Sequence, residues 1–265
     1  MRKALLASAS AAALCCAVAA PAHAAPPPPP IYSWTGFYIG LNAGVGAGDT
    51  IPSWTQNAFA SPFSLFTVGV PPNANSRGFA GGGQAGYNFQ TGNYVYGVET
   101  DFTWMNLRGT ASTSPFFTGK GDNTASWTSD YNWLYTARLR GGITIGGNWL
   151  LYGTGGVALV DVKDTALCVA PGQGCGSSIT PAFPQNIEWS KSSTLVGGVV
   201  GGGIETMFSP NWIFGVKALH VFLPSTTPGL VTNSRSFLGP VPASFSFDHN
   251  LTLVTFEVTY KFGGP

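Results

Sequence analysis

The chain has 265 residues, only 9% of them charged, with 13% aromatics, 36 Gly, 20 Pro and a net charge of +1. A soluble domain carries about a quarter charged residues, and near-neutrality gives no reason to expect nucleic acid or another strongly charged partner. Beyond the N-terminal leader no run of about 18 apolar residues occurs, which excludes spanning helices and leaves an all-β chain, either a membrane protein or a Gly-rich secreted sandwich.

Met1-Arg2-Lys3 is a positive start, Ala4 to Ala20 an apolar stretch, and Ala22-His23-Ala24 a small-x-small cleavage site. Together they predict a signal peptide over residues 1–24 and export through the inner membrane. Cys15 and Cys16 lie inside the apolar stretch, and Leu14 and Cys15 are poor neighbours for lipid attachment. Pro26 to Pro30 must be extended, so residues 25–33 read as a Pro-rich periplasmic lead-in, a tether before a β-domain over 34–265.

Eight segments then alternate with a period of two, the signature of strands whose successive side chains point to opposite sides. The first is Trp34 to Gly44, with Phe37, Ile39, Leu41 and Ala43 on one face and Tyr38, Gly40, Asn42 and Gly44 on the other. The second, Gly78 to Phe89, sets Gln84 and Asn88 against Ala85, Tyr87 and Phe89. The third, Tyr94 to about Leu107, sets Tyr96, Val98, Phe102 and Trp104 against Glu99 and Asp101. The fourth, about Asp130 to Ile145, sets Trp133, Tyr135, Ala137 and Leu139 against Asn132, Arg138 and Arg140. The fifth runs from Leu150 to about Lys163 and carries Asp161 and Lys163; the sixth, about Ser193 to Phe208, carries Glu205; the seventh, Trp212 to Phe222, carries Lys217. The eighth, Asn250 to Phe262, puts Val254, Phe256, Val258, Tyr260 and Phe262 opposite Glu257 and Lys261.

The connections alternate in length. Gln90-Thr-Gly-Asn93, Gly146-Gly-Asn148 and Ser209-Pro-Asn211 are tight-turn sequences. The other four, about Asp49 to Arg77, Gly109 to Thr128, Asp164 to Trp189 and Leu223 to Asp248, are long. Short and long connections alternating around an even strand count predict an eight-stranded antiparallel up-and-down transmembrane β-barrel, with four long extracellular loops and the short turns in the periplasm. A lipid-facing Lys or Arg costs about 2–4 kcal/mol at mid-bilayer, so charges should face the lumen. The pairs Glu99/Asp101, Arg138/Arg140, Asp161/Lys163 and Glu257/Lys261 each share a face; with Glu205 and Lys217 they are expected to form a near-neutral lumen charge network. Arg108 and His220 break the rule, towards the far ends of their strands. Phe89, Tyr94, Trp149, Tyr152, Phe208, Trp212, Tyr260 and Phe262 cluster at the short-turn end, as an interfacial girdle would.

Trp34-Thr-Gly-Phe-Tyr-Ile-Gly-Leu-Asn-Ala-Gly44 resembles the first strand of the small outer-membrane surface-antigen barrels of alphaproteobacteria, the porin-family proteins. The leader, the Pro-rich lead-in, the turn after the second strand and the closing Val258-Thr-Tyr-Lys-Phe262 are similar too. The resemblance implies an outer-membrane location, with outer-membrane lipid and the barrel-assembly machinery as partners and roles in envelope integrity, surface exposure or solute passage. Such barrels end on the aromatic residue, whereas Gly263-Gly264-Pro265 follow Phe262 here. A homo-oligomer and an unnamed extracellular ligand stay open.

Other chemistry is sparse. Gly81-Gly-Gly-Gln-Ala-Gly86 fits G-x-G-x-x-G, but a dinucleotide site needs a strand before it and a helix after it. Cys168 and Cys175, in the third long loop, are expected to form a disulfide in an oxidising compartment. No metal or cofactor is expected: outside the leader the only histidines are His220 and His249, which flank the fourth long loop without a recognisable nucleophile–base arrangement. An eight-stranded barrel is just wide enough for side chains to fill it, which disfavours wide diffusion. The leading reading is a non-enzymatic barrel with a structural and surface-interaction role. Porin-like passage is one alternative. The other is adhesion or ligand binding through loops that carry Phe59, Phe63, Phe66, Phe116, Phe117, Phe183 and Phe237.

Overall fold

The computed structural model describes residues 32–56, 72–113, 124–169, 187–225 and 243–263. The leader, most of the lead-in, the seven loop phenylalanines, Cys175 and the side chain of Cys168 lie outside these, and the expected disulfide with them.

Eight strands form a closed barrel in sequence order. They are β1 (Gly36–Gln56), β2 (Ala74–Thr91), β3 (Tyr94–Thr113), β4 (Thr124–Ile145), β5 (Trp149–Val169), β6 (Ile187–Met207), β7 (Trp212–Phe222) and β8 (Ala243–Lys261). Every neighbouring pair is antiparallel, and β1 closes on β8 from Tyr38↔Lys261 to Gln56↔Ala243. The short turns follow from local chemistry. Gly92, Gly146 and Gly147 take φ values of 60°, 61° and 82°, a left-handed region that only Gly enters without strain. The third turn is closed by Phe208 N donating to Trp212 O at 3.0 Å.

Most strands run well past the segments expected from the sequence. In these extensions the outer face is polar and the inner face still buries apolar side chains, as Ala125 and Trp127 do between Thr124, Ser126 and Thr128. At the other end β1 starts at Gly36, not at Trp34. Trp34 instead tucks under the barrel, fully buried. Its backbone N–H donates to Gln90 Oε1 at 2.8 Å and its indole Nε1 to Gly147 O at 3.1 Å.

A bulge gives β4 one extra residue against β5, Asn132, between Tyr131 and Trp133, and against β3 the two residues between Trp104 and Leu107 oppose Asn132 alone. One inserted residue swaps the faces of a strand. Leu134, Thr136, Arg138 and Arg140 face inward on one side of the bulge, and Trp127, Ser129 and Tyr131 on the other. Asn132, expected on the charged face, is therefore turned outward and exposed.

The interior is stratified. At the short-turn end Trp34, Val95, Leu150, Tyr152, Met207 and Ile213 form an apolar cap. Above it lies a layer of charged and amide side chains. A second apolar layer follows, which includes Leu107, Leu134, Val160, Leu195, Leu219 and Leu251. Thr50, Ser76, Ser129, Asp164 and His249 make a polar layer near the long-loop end, and Trp127 and Phe247 are buried beyond it. Two inward glycines make room for rings: a Cβ on Gly86 would stand 2.4 Å from Tyr38 Oη, and one on Gly203 would stand 2.7 Å from Tyr152 Oη.

The outer face is apolar, with Leu41, Tyr96, Leu139, Val196 and Phe256 exposed along it. Among residues with described side chains, the outward charges are Asp49, Arg77, Arg108, Asp130, Asp161, Lys163 and Asp248. Each stands roughly a dozen residues or more from the short-turn end of its strand. At about 3.3 Å per residue and a tilt near 40° that is about 30 Å, the far side of an apolar band expected to be about 25 Å tall.

Candidate functional site in the barrel interior

Strands β1, β2, β3, β4, β6, β7 and β8 each send polar side chains into the charge layer, because an inward polar residue at this depth meets partners from across the narrow lumen instead of lipid. Glu99 is the hub. Its Oε2 accepts from Arg140 Nη1 at 2.9 Å and from the Tyr38 hydroxyl at 2.7 Å. Its Oε1 accepts from Lys217 Nζ at 3.2 Å and from Arg138 Nη2, which also donates to Asp101. Arg140 Nη2 reaches Glu205 Oε1 at 2.7 Å, and its guanidinium lies 4.0 Å from the Tyr152 ring centroid. Lys217 Nζ stands 2.5 Å from Glu257 Oε1 and 3.1 Å from Gln84 Oε1. Gln84 Nε2 in turn donates to Glu257 Oε2 at 3.2 Å and to Thr259 Oγ1 at 3.1 Å. All the ionised members are nearly inaccessible to solvent. Buried charges are tolerated only when paired and hydrogen-bonded, so the layer works as a unit.

Seven of the ten expected network residues meet here: Glu99, Asp101, Arg138, Arg140, Glu205, Lys217 and Glu257. Three do not. Asp161 and Lys163 lie on the outer face near the long-loop end, Asp161 accepting from Asn132 Nδ2 at 2.8 Å and from Ser192 Oγ at 3.3 Å. Sharing a face does not say which face, and at that level outward charge meets no apolar lipid. Lys261 points inward but makes no ion pair among the described residues; its stem packs beside Gly36 at the short-turn mouth. Tyr152 belongs to the interior and not to the outer aromatics, because Arg140 and the apolar cap enclose it. Phe89, Tyr94, Trp149, Phe208, Trp212, Tyr260 and Phe262 point outward at the short-turn end. Several touch, as Trp212 and Tyr260 do at 5.2 Å and Tyr260 and Phe262 at 5.1 Å between ring centroids. Sequence reasoning missed Tyr38, Gln84 and Tyr152 as network members; inward parity was the available signal for Tyr38 and Gln84, whereas Tyr152 has the parity opposite to Asp161 and Lys163, the face expected to point inward on that strand.

A second polar cluster sits near the long-loop end. His249 Nδ1 lies 3.3 Å from Thr50 Oγ1 and 3.2 Å from Tyr131 Oη, and its Nε2 lies 3.5 Å from Asp164 Oδ2. Ser129 Oγ donates to Asp164 Oδ1 at 2.7 Å. The order hydroxyl–imidazole–carboxylate is that of a nucleophile with its base, yet Thr50 and His249 are each 1% exposed. The other histidine, His220, faces outward and bonds Thr252 Oγ1 at 2.8 Å. The G-x-G-x-x-G stretch lies within β2 with strand on both sides, so the helix required for a dinucleotide site is missing there.

A family profile described as "Outer membrane protein beta-barrel domain" matches residues 8–238. The chain belongs to the outer-membrane protein β-barrel family. It is 32% identical over 215 residues to the 31 kDa outer-membrane immunogenic protein of Brucella melitensis, an alignment covering 78% of each chain. It is also 31% identical over 132 residues to the 22 kDa outer membrane protein of Rhizobium leguminosarum, covering 49% of this chain and 46% of that one. Among solved structures, OprG from Pseudomonas aeruginosa superposes with a TM-score of 0.48 at 12% identity, over 87% of this chain and 99% of that chain. The barrel is thus an outer-membrane protein with alphaproteobacterial surface-antigen relatives.

Proposed function

We propose that the protein is a non-conducting, non-enzymatic outer-membrane barrel that holds its long loops at the cell surface. The observation that carries this reading is the filled interior: an apolar cap, an ion-paired layer and a second apolar layer succeed one another along the lumen. Solute passage needs a continuous polar path, and two apolar layers interrupt it. The sealed Thr50–His249–Asp164 cluster speaks against catalysis, since no substrate reaches a hydroxyl that is 1% exposed. In this reading the short turns lie in the periplasm, where Phe89, Tyr94, Trp149, Trp212, Tyr260 and Phe262 form the inner girdle, and the long loops face outward. Residues 1–24 act as the cleaved leader that delivers the chain, and the assembly machinery inserts it. Planar-bilayer recording on protein whose gel mobility shifts on boiling tests the reading. No stepwise conductance is expected; regular single-channel steps would overturn it in favour of a pore.

A further inference from the structure

The outward charges contain one arrangement that the fold itself does not call for. Arg77 on β2 stands directly opposite Arg108 on β3, and both side chains point outward and are exposed. Like charges directly opposite in a sheet repel. Arg108 is only partly compensated: its Nε lies 3.4 Å from Asp130 Oδ1 and its side chain is 71% exposed. Arg77 has neither an ion pair nor a side-chain hydrogen bond among the described residues. The acid on the neighbouring strand, Asp49, pairs across with Asn75, while Ala47 stands opposite Arg77.

Next to Arg77, towards the short turns, the outer wall carries a shallow apolar groove. The small side chain of Ala47 on the outer face leaves this groove, which is bounded by Val45, Thr252 and Val254 and floored by the backbone at Gly46 and Gly78, with Arg77 at its long-loop end. The groove lies in the apolar band and the two guanidinium groups at its edge. An acyl chain matches the one, a phosphate the other, and Arg is the side chain best suited to gripping phosphate with two parallel hydrogen bonds. Asn75, Asn106 and Thr110, all outward and exposed, flank the pair with groups that can bond sugar hydroxyls.

We propose that Arg77, Arg108 and this groove form a binding site for a phosphate-bearing, acylated glycolipid of the outer leaflet. The phosphate bridges the two guanidinium groups and relieves their repulsion, one acyl chain lies over Ala47 against Val45 and Val254, and the sugar faces Asn75 and Thr110 on the long-loop side of the pair. The assignment to the outer leaflet rests on the long loops facing outward.

Native mass spectrometry of the folded protein in detergent micelles, titrated with diphosphorylated lipid A, tests the site. Micelles impose no sidedness, so a failure to bind counts against the site and not against the orientation. The Arg77→Gln/Arg108→Gln variant is expected to raise the Kd about tenfold or more, whereas Lys163→Gln, a cation at the same level away from the groove, leaves it unchanged. Ala47→Trp, or Thr252→Phe should the first variant lose its boiling-dependent gel shift, is expected to weaken lipid A while sparing the deacylated diphosphorylated headgroup. Unchanged affinity in the double Arg variant, or equal affinity for dephosphorylated lipid A, overturns the proposal. Equally tight binding of phosphatidylglycerol overturns the glycolipid assignment and marks a general anionic-lipid site.

Discussion

Glu99 shows how much one buried carboxylate can organise. It meets Arg138, Arg140, Lys217 and Tyr38, so its removal takes from three buried cations the one partner they share and leaves their donors facing an apolar group. Glu99→Leu is expected to destabilise the barrel by about 3–5 kcal/mol, the usual cost of breaking a buried ion pair from one side. Asp161→Asn, on the outer face, should change stability by about 1 kcal/mol or less. Urea unfolding of both variants in the same detergent is the comparison; equal losses would mean that the interior layer is not a desolvated unit. The inward parity of Glu99, Arg138, Arg140, Lys217 and Glu257 was legible because the apolar residues of the opposite parity identify the lipid side. At Asp161 and Lys163 that reference fails, because Val160 and Val162 are apolar yet point inward, into the second apolar layer. A run that is apolar on the lumen side reads the same as one that is apolar on the lipid side.

For the strands, the outward charges confined to one level delimit the apolar band. Leu139, 68% exposed on β4, lies well inside the band, and Thr194 on β6 lies at the charged level. Leu139→Arg should cost about 2–4 kcal/mol and Thr194→Arg about 0–1 kcal/mol, measured by equilibrium unfolding in lipid vesicles. Equal costs would break the assignment of depth. The turns and strand order were legible in the sequence because Gly-Asn and Pro-Asn turns and period-two alternation are local. The strand extensions were not, although segments such as Thr124-Ala-Ser-Trp-Thr128 and Ala243-Ser-Phe-Ser-Phe247 alternate, because their Ser- and Thr-rich face reads as loop where it no longer meets lipid. Nor was the β4 bulge, because a one-residue insertion leaves both halves of the strand looking regular.

For the molecule as a whole, the distinction that matters is between a packed interior and a water-filled one. Leu134 is fully buried in the second apolar layer. Leu134→Ala is expected to cost about 2–5 kcal/mol, as in a close-packed core; a side chain lining a wet pore would lose little when trimmed, so a near-zero cost in the unfolding midpoint would reopen the porin reading. The eight-stranded closure followed from the even strand count and the alternating connections, whereas the two apolar lumen layers depend on which residues meet across the barrel, a non-local fact. The pairing of β1 with β8 also has a consequence in time. Tyr38 and Lys261 become partners only after the entire chain between them is available. Until then both terminal strands would expose rows of unpaired amides and carbonyls that hydrocarbon cannot satisfy. Insertion is therefore expected to be all-or-none with respect to the last strand, and chains stopped before Ala243 should remain protease-sensitive intermediates bound to whatever shields their open edges.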